Sequence, residues 1–137
     1  PNHFHLLVKQ ISEGGISTFI RKVSDSYTRY FNTKHDRVGA LFQGVFKARL
    51  IDSDEYLLQL SKYIHRNPLS LVDWEGQIYP YSSYGYYISG EEHLFCDTEF
   101  ISAYFSKTNP NLNYQSFVEE SDLDDPTLHN LLIDADD

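Results

Sequence analysis

The segment Pro1-Asn2-His3-Phe4-His5-Leu6-Leu7-Val8 constrains this chain more than any other. Its bulky and branched residues favour extended backbone, where successive side chains point to opposite faces. His3 and His5 then share one face and Phe4 takes the other. Two imidazoles side by side make half of a divalent-metal site. Alone, the pair reads most simply as two polar residues on the solvated face of a strand. A second segment, Lys62-Tyr63-Ile64-His65-Arg66-Asn67-Pro68, shifts that weight.

Asp52-Ser53-Asp54-Glu55 opens a helix, with Asp52 expected as its cap and Glu55 reaching back as in a capping box. Leu57, Leu60 and Ile64 repeat at helical spacing and are expected to face the core. Pro68 disfavours helical geometry at Asn67, so the helix is expected to end there. Gln59, Tyr63 and Asn67 fall at i, i+4 and i+8 and share one face. A phenol and a carboxamide therefore look in the same direction, one turn apart. On this helix alone, a packed tyrosine and an asparagine cap is the simpler reading.

Taken together, the two segments resemble the single-tyrosine HUH transposases. The REP-associated tyrosine transposases, which carry an IS200-like transposase domain, are the most similar branch. Four blocks carry the resemblance: Pro1 to Val8, Gly39-Ala40-Leu41-Phe42-Gln43-Gly44-Val45-Phe46-Lys47, Tyr63-Ile64-His65-Arg66-Asn67-Pro68, and Tyr81-Ser82-Ser83-Tyr84. They stand in the family's order at about its spacing and cover roughly residues 1–90. The resemblance implies an α+β fold: a ferredoxin-like two-layer sandwich with an antiparallel sheet. It implies that His3, His5 and Asn67 hold a divalent metal, Mg²⁺ or Mn²⁺, and that Tyr63 is the nucleophile. The i, i+4 spacing of Tyr63 and Asn67 supports that pairing independently.

The implied reaction cuts single-stranded or hairpin DNA and joins it elsewhere through a covalent 5′-phosphotyrosine. A tyrosine hydroxyl, with a reference pKa of about 10, needs activation to attack a phosphodiester. A metal ion would neutralise charge on the phosphate. His65 follows Tyr63 by two residues, which turns it about 200° around the helix. It is therefore expected to be structural or DNA-facing rather than a base. His35, His93 and His129 stand in polar surroundings and are expected at the surface.

With 137 residues and a hydrophobic fraction of 41%, one compact domain is expected. Residues 1–90 form its catalytic part, 91–120 a helical and irregular C-terminal extension, and 121–137 an acidic mobile tail. No run of apolar residues is long enough to span a membrane. The single Cys96 rules out an internal disulfide and fits a reducing cytoplasm, and the resemblance implies association with the nucleoid there. The net charge of −9 hides a split. Residues 1–66 hold ten Lys and Arg against six acids, and the remainder carries −13. The basic half carries the motifs, as phosphate binding requires.

Along the chain, His3 to Lys9 is predicted as a strand and Ile16 to Phe31 as an amphipathic helix. Asn32 to Gly39 is predicted as a polar loop. Leu41 to Ile51 is predicted as one or two strands bent at Gln43-Gly44. Short helices are expected over Thr98–Ser106 and Asn113–Glu120, and irregular chain with Trp74 over Leu69–Pro80. Lys47 and Arg49 are the strongest candidates for DNA contacts, followed by Arg21, Lys22 and Arg66. The tyrosines of 79–87 either stack on unpaired bases or cover the core. The resemblance also implies a strand and a helix before His3. Without them an open sheet edge would invite pairing with another copy, so a homodimer is expected. The alternative to a transposase is a catalytically silent protein that still binds DNA hairpins.

Overall fold

A computed structural model describes residues 3–70, 78–108 and 113–120. They fall in two units, Pro1–Arg49 and Leu50–Asp137.

The first unit is built on one helix, α1 (Gly15–Lys34), over the segment where apolar spacing predicts it. Gly14 sets its start with φ of 66°, a left-handed value that a side chain would strain. The helix ends where the His35 N–H still donates to the Phe31 carbonyl. Asn32 Nδ2 donates to the Gly39 carbonyl at 2.9 Å, and Arg37 Nη2 to the Ala40 carbonyl at 3.3 Å. The Arg37 guanidinium also lies 5.8 Å from the centre of the Phe31 ring. These contacts fold the polar loop back onto the end of α1. Rings hold the flanking chain: Phe4 meets Phe42 edge-on at 6.0 Å, and Phe42 lies 6.2 Å from Tyr27.

The expected sheet is not there. Among the described residues there is no β-strand, and the β pairing is an isolated bridge between His93 and Cys96. His3 to Lys9 and Leu41 to Ile51 have no ladder, so the ferredoxin-like antiparallel sandwich is overturned in favour of a helical architecture. The physical reason is that alternation specifies which face a side chain takes, whereas a strand exists through the hydrogen bonds of a partner. Neither segment has that partner here. The Gln43-Gly44 bend survives, with Gly44 at φ of 66°.

Among the described residues the second unit assembles four helices and one tight turn. Helix α2 (Asp54–Arg66) runs into a 3₁₀ turn over Asn67–Ser70. Helices α3 (Tyr84–Ser89), α4 (Glu99–Thr108) and α5 (Tyr114–Glu119) follow. Ser53, not Asp52, caps α2: it has extended backbone, and its hydroxyl accepts from the Tyr56 N–H at 3.2 Å. Asp54 and Glu55 in the first turn, with Arg66 in the last, complement the helix dipole. Asn67 keeps helical angles despite the following proline. Pro68 lacks the N–H that would continue the ladder, and the chain tightens to 3₁₀ at that point.

The packing of α2 also departs from the leucine spacing. Leu57, Leu60 and Ile64 are half-buried. The fully buried positions are Tyr56, Ser61, Lys62 and His65. Around them the core of this unit consists of Tyr84, Ile101, Phe105, Tyr114 and Val118. Helix α5 is capped by Asn113, whose side chain accepts from the Ser116 N–H at 2.8 Å. The tail over 121–137 and Trp74 lie outside the described residues.

Candidate functional site

The two histidines of the first motif do stand together. Their ring centres are 5.0 Å apart and nearly perpendicular, with His3 exposed and His5 half-buried. Imidazole nitrogens bind divalent metals at roughly 2.1 Å, so two rings this close can serve one ion. The pair can therefore supply two nitrogen donors to a divalent first-row metal with oxygen donors completing the shell, and the donor type does not select which metal. Among the described residues no three His, Cys, Asp or Glu side chains gather into a metal site. The third ligand implied by the motifs is an asparagine, outside that set.

Tyr63 and Asn67 belong to the second unit and sit one helical turn apart. The Asn67 backbone N–H donates to the Tyr63 carbonyl and closes the last turn of α2. Both side chains are half-buried. Helix geometry sets them on the face opposite His65. The structure thus joins His3 with His5 in one unit, and Tyr63 with Asn67 in the other.

The cations expected to meet DNA divide into two kinds. Arg21 and Lys22 lie exposed on α1, and Lys47 and Arg49 lie exposed in the irregular chain that follows it. Beside α1, Ser24, Asp25, Thr28, Arg29, Leu41 and Phe42 border an open depression of about 500 Å³. Arg66 is engaged within its own unit. Its Nη1 donates to the carbonyls of Val118 at 3.0 Å and Glu120 at 2.6 Å, tying α2 to the end of α5. The unit boundary coincides with a change of sign. Pro1–Arg49 holds eight Lys and Arg against three acids, and Leu50–Asp137 three against seventeen.

The second unit also contains a polar cluster that local sequence reading missed. His65 is 4% exposed. Its Nδ1 lies 2.7 Å from the Tyr114 hydroxyl, and its Nε2 lies 2.8 Å from Ser83 Oγ. A neutral imidazole has one N–H, so one of these hydroxyls accepts from the ring and the other donates to it. The rings of Tyr84, Tyr87 and Tyr114 surround it at 5.6, 5.1 and 5.6 Å. The Tyr84 hydroxyl donates to Glu119 Oε1 at 3.0 Å. The Lys62 ammonium lies 5.0 Å from the centre of the Phe117 ring. His65 is therefore not DNA-facing, and the partners 18 and 49 positions away explain why spacing could not reveal it.

Of the 79–87 tyrosines, Tyr84 and Tyr87 cover this core, whereas Tyr81 is 84% exposed. Tyr86 stacks on His93 at 4.2 Å. Burial pushes the Tyr87 phenol up to about 12, helped by Cys96 and Asp97 nearby. Burial raises Tyr84, with the Glu119 carboxylate adding to it. Tyr114 is raised by burial too, and the Ser61 hydroxyl offsets part of that rise. A raised phenol is a poor source of phenolate, which suits these three tyrosines to packing rather than attack.

Burial lowers His65 from its ordinary 6.5 to about 4. The unfolded chain then binds a proton that the folded chain refuses, so stability rises with pH through this window. His65 is expected to stabilise the second unit fully above pH 6.5, and to lose that contribution between pH 6.5 and 4. The total loss is about 3 kcal/mol, at about 1.4 kcal/mol per pH unit. Urea unfolding at pH 7 and pH 4.5, compared between the native chain and His65→Gln, isolates the effect from the many carboxylates. Equal pH slopes for the two proteins would refute it.

Residues 1–67 match the family model described as transposase IS200 like. No curated protein and no solved structure matches the chain. No helix among the described residues is long and apolar enough to cross a membrane.

Proposed function

From the match of residues 1–67 to the IS200-like transposases, we propose that this chain cuts and rejoins single-stranded DNA, with Tyr63 as its nucleophile. The observation that carries the reading is the extent of the family match. It spans the His3 and His5 pair at one end and the Tyr63 and Asn67 pair at the other. The side-by-side imidazoles and the backbone bond closing the Tyr63–Asn67 turn support it.

On this reading the Tyr63 oxygen attacks the scissile phosphorus. The new bond joins the tyrosine to the 5′ phosphate, the bond from phosphorus to the 3′ oxygen breaks, and the phenol proton leaves to solvent or to that oxygen. Attack by a free 3′-hydroxyl reverses the exchange, so joining requires no separate energy source. His3, His5 and Asn67 would hold Mg²⁺ or Mn²⁺, which supplies charge neutralisation on the phosphate when bound. Lys47, Arg49, Arg21 and Lys22 would neutralise flanking phosphates. Hairpin DNA is the proposed substrate, by resemblance to the REP-associated branch. Association between copies of the chain belongs to the same proposal.

Incubation with hairpin-bearing single-stranded DNA and Mn²⁺, followed by a denaturing gel, tests the reading. A labelled strand that migrates with the protein after denaturation is the expected product. DNA that is bound in native gels but never joined would identify a silent hairpin-binding protein instead.

A further inference from the structure

The family match ends at Asn67, and the last turns of α2 inside it are bonded to chain that lies beyond it. Three attachments hold this end of α2, with His65 on the side opposite Tyr63. His65 is bonded through both ring nitrogens, to Tyr114 at the start of α5 and to Ser83 just before α3. Arg66 grips the carbonyls at the end of α5. Lys62 lies buried over the Phe117 ring of α5. His65 and Arg66 fix the two ends of α5 against the last turn of α2, and Lys62 adds a contact one turn earlier, so together they resist rotation of α2 about its own axis as well as its departure.

Rotation is the motion that matters for a nucleophile on a helix. His65 and Tyr63 are about 200° apart, so a bond that fixes the direction of one fixes the other. We propose that α3 and α5 form a clamp that sets the direction of Tyr63, with His65 as its positioning residue. The proposal rests on the reading of Tyr63 as nucleophile and adds what controls it. His65 does not touch DNA or the reacting atoms. It acts through the helix, and a displacement on the order of 1 Å at the nucleophile costs about 10²-fold in rate.

The ring nitrogens can be removed one at a time. In His65→Asn the amide takes the place of Nδ1 and keeps Tyr114. In His65→Gln it takes the place of Nε2 and keeps Ser83. His65→Leu keeps neither. The readouts are single-turnover adduct formation by the full chain at saturating hairpin DNA with Mn²⁺, DNA affinity, and melting temperature.

DNA affinity is expected to stay within about twofold of the native chain, because the cations of the first unit are untouched. The rate per folded molecule is expected to fall about 10-fold for Asn and Gln, and about 100-fold for Leu. A packing role alone would lower the melting temperature in that order while the rate per folded molecule stayed constant, and that result overturns the clamp. If His65→Leu does not fold, Ser83→Ala combined with Tyr114→Phe removes both hydroxyls and keeps every ring. That pair is expected to slow the reaction about 10-fold, and an unchanged rate overturns the proposal. A native chain that forms no adduct overturns the nucleophile reading together with the clamp. Adduct formation at equal rates in all variants overturns the clamp alone.

Discussion

Tyr63→Phe is expected to abolish the covalent protein–DNA adduct, by about 10³-fold or more, while leaving DNA affinity within about twofold. The substitution deletes one oxygen, and that oxygen is the atom that would bond to phosphorus. The ring remains, so the half-buried packing of Tyr63 is kept. The cations that would meet phosphate are exposed residues of the first unit, and the change does not touch them. Other tyrosines are poor substitutes. Tyr84, Tyr87 and Tyr114 are enclosed, and burial holds their phenols protonated well above neutral pH. A phenylalanine variant that still forms adduct would assign the nucleophile elsewhere, with exposed Tyr81 the first to test.

The second large effect is expected at the histidine pair. His3→Ala or His5→Ala should lower the rate of adduct formation by about 10² to 10³-fold at limiting Mn²⁺, because several kcal/mol of charge neutralisation would be lost. Each single variant keeps one imidazole, so excess Mn²⁺ should recover part of its rate. The double variant should not recover. Manganese binding by electron paramagnetic resonance provides a readout independent of the reaction. If the double variant binds Mn²⁺ as the native chain does, the ion sits elsewhere and His3 and His5 are ordinary polar residues.

Much of the helical architecture is legible in the sequence because helical signals are local. The apolar period of Ile16 to Phe31 gives α1, and the acidic opening with its later proline gives α2. The cap of α2 is displaced by one residue because Ser53, not Asp52, has the extended backbone that turns its oxygen toward the first free N–H groups. Short α3 is hidden among tyrosines that suit strands, loops or cores alike. Its one clear mark is Gly90, at φ of 69°, where it stops.

What sequence could not supply is partnership. Phe4, Leu6 and Val8 alternate as a strand would, but alternation without a second strand leaves extended chain held by rings. The burial pattern of α2 fails to follow its leucines for the same reason. Ser61, Lys62 and His65 can be buried because α5 and the turn before α3 offer a ring and two hydroxyls. The histidine pair and the Tyr63–Asn67 turn were legible as separate pairs. Spacing within one segment expresses nothing about the other, so each pair was legible only by itself.

The change of charge sign between Arg49 and Leu50 alters how salt titrations of this protein should be read. Each phosphate contact made by a cation releases condensed counterions, and log affinity falls with log salt at about −0.9 per contact on duplex, about −0.7 on single strands. An excess of fourteen negative charges in Leu50–Asp137 pushes the same polyanion away, and added salt screens that repulsion too. The two responses have opposite slopes. The net dependence is therefore shallower than the number of phosphate contacts implies, and a count of contacts taken from it falls short by the share of repulsion that salt removes.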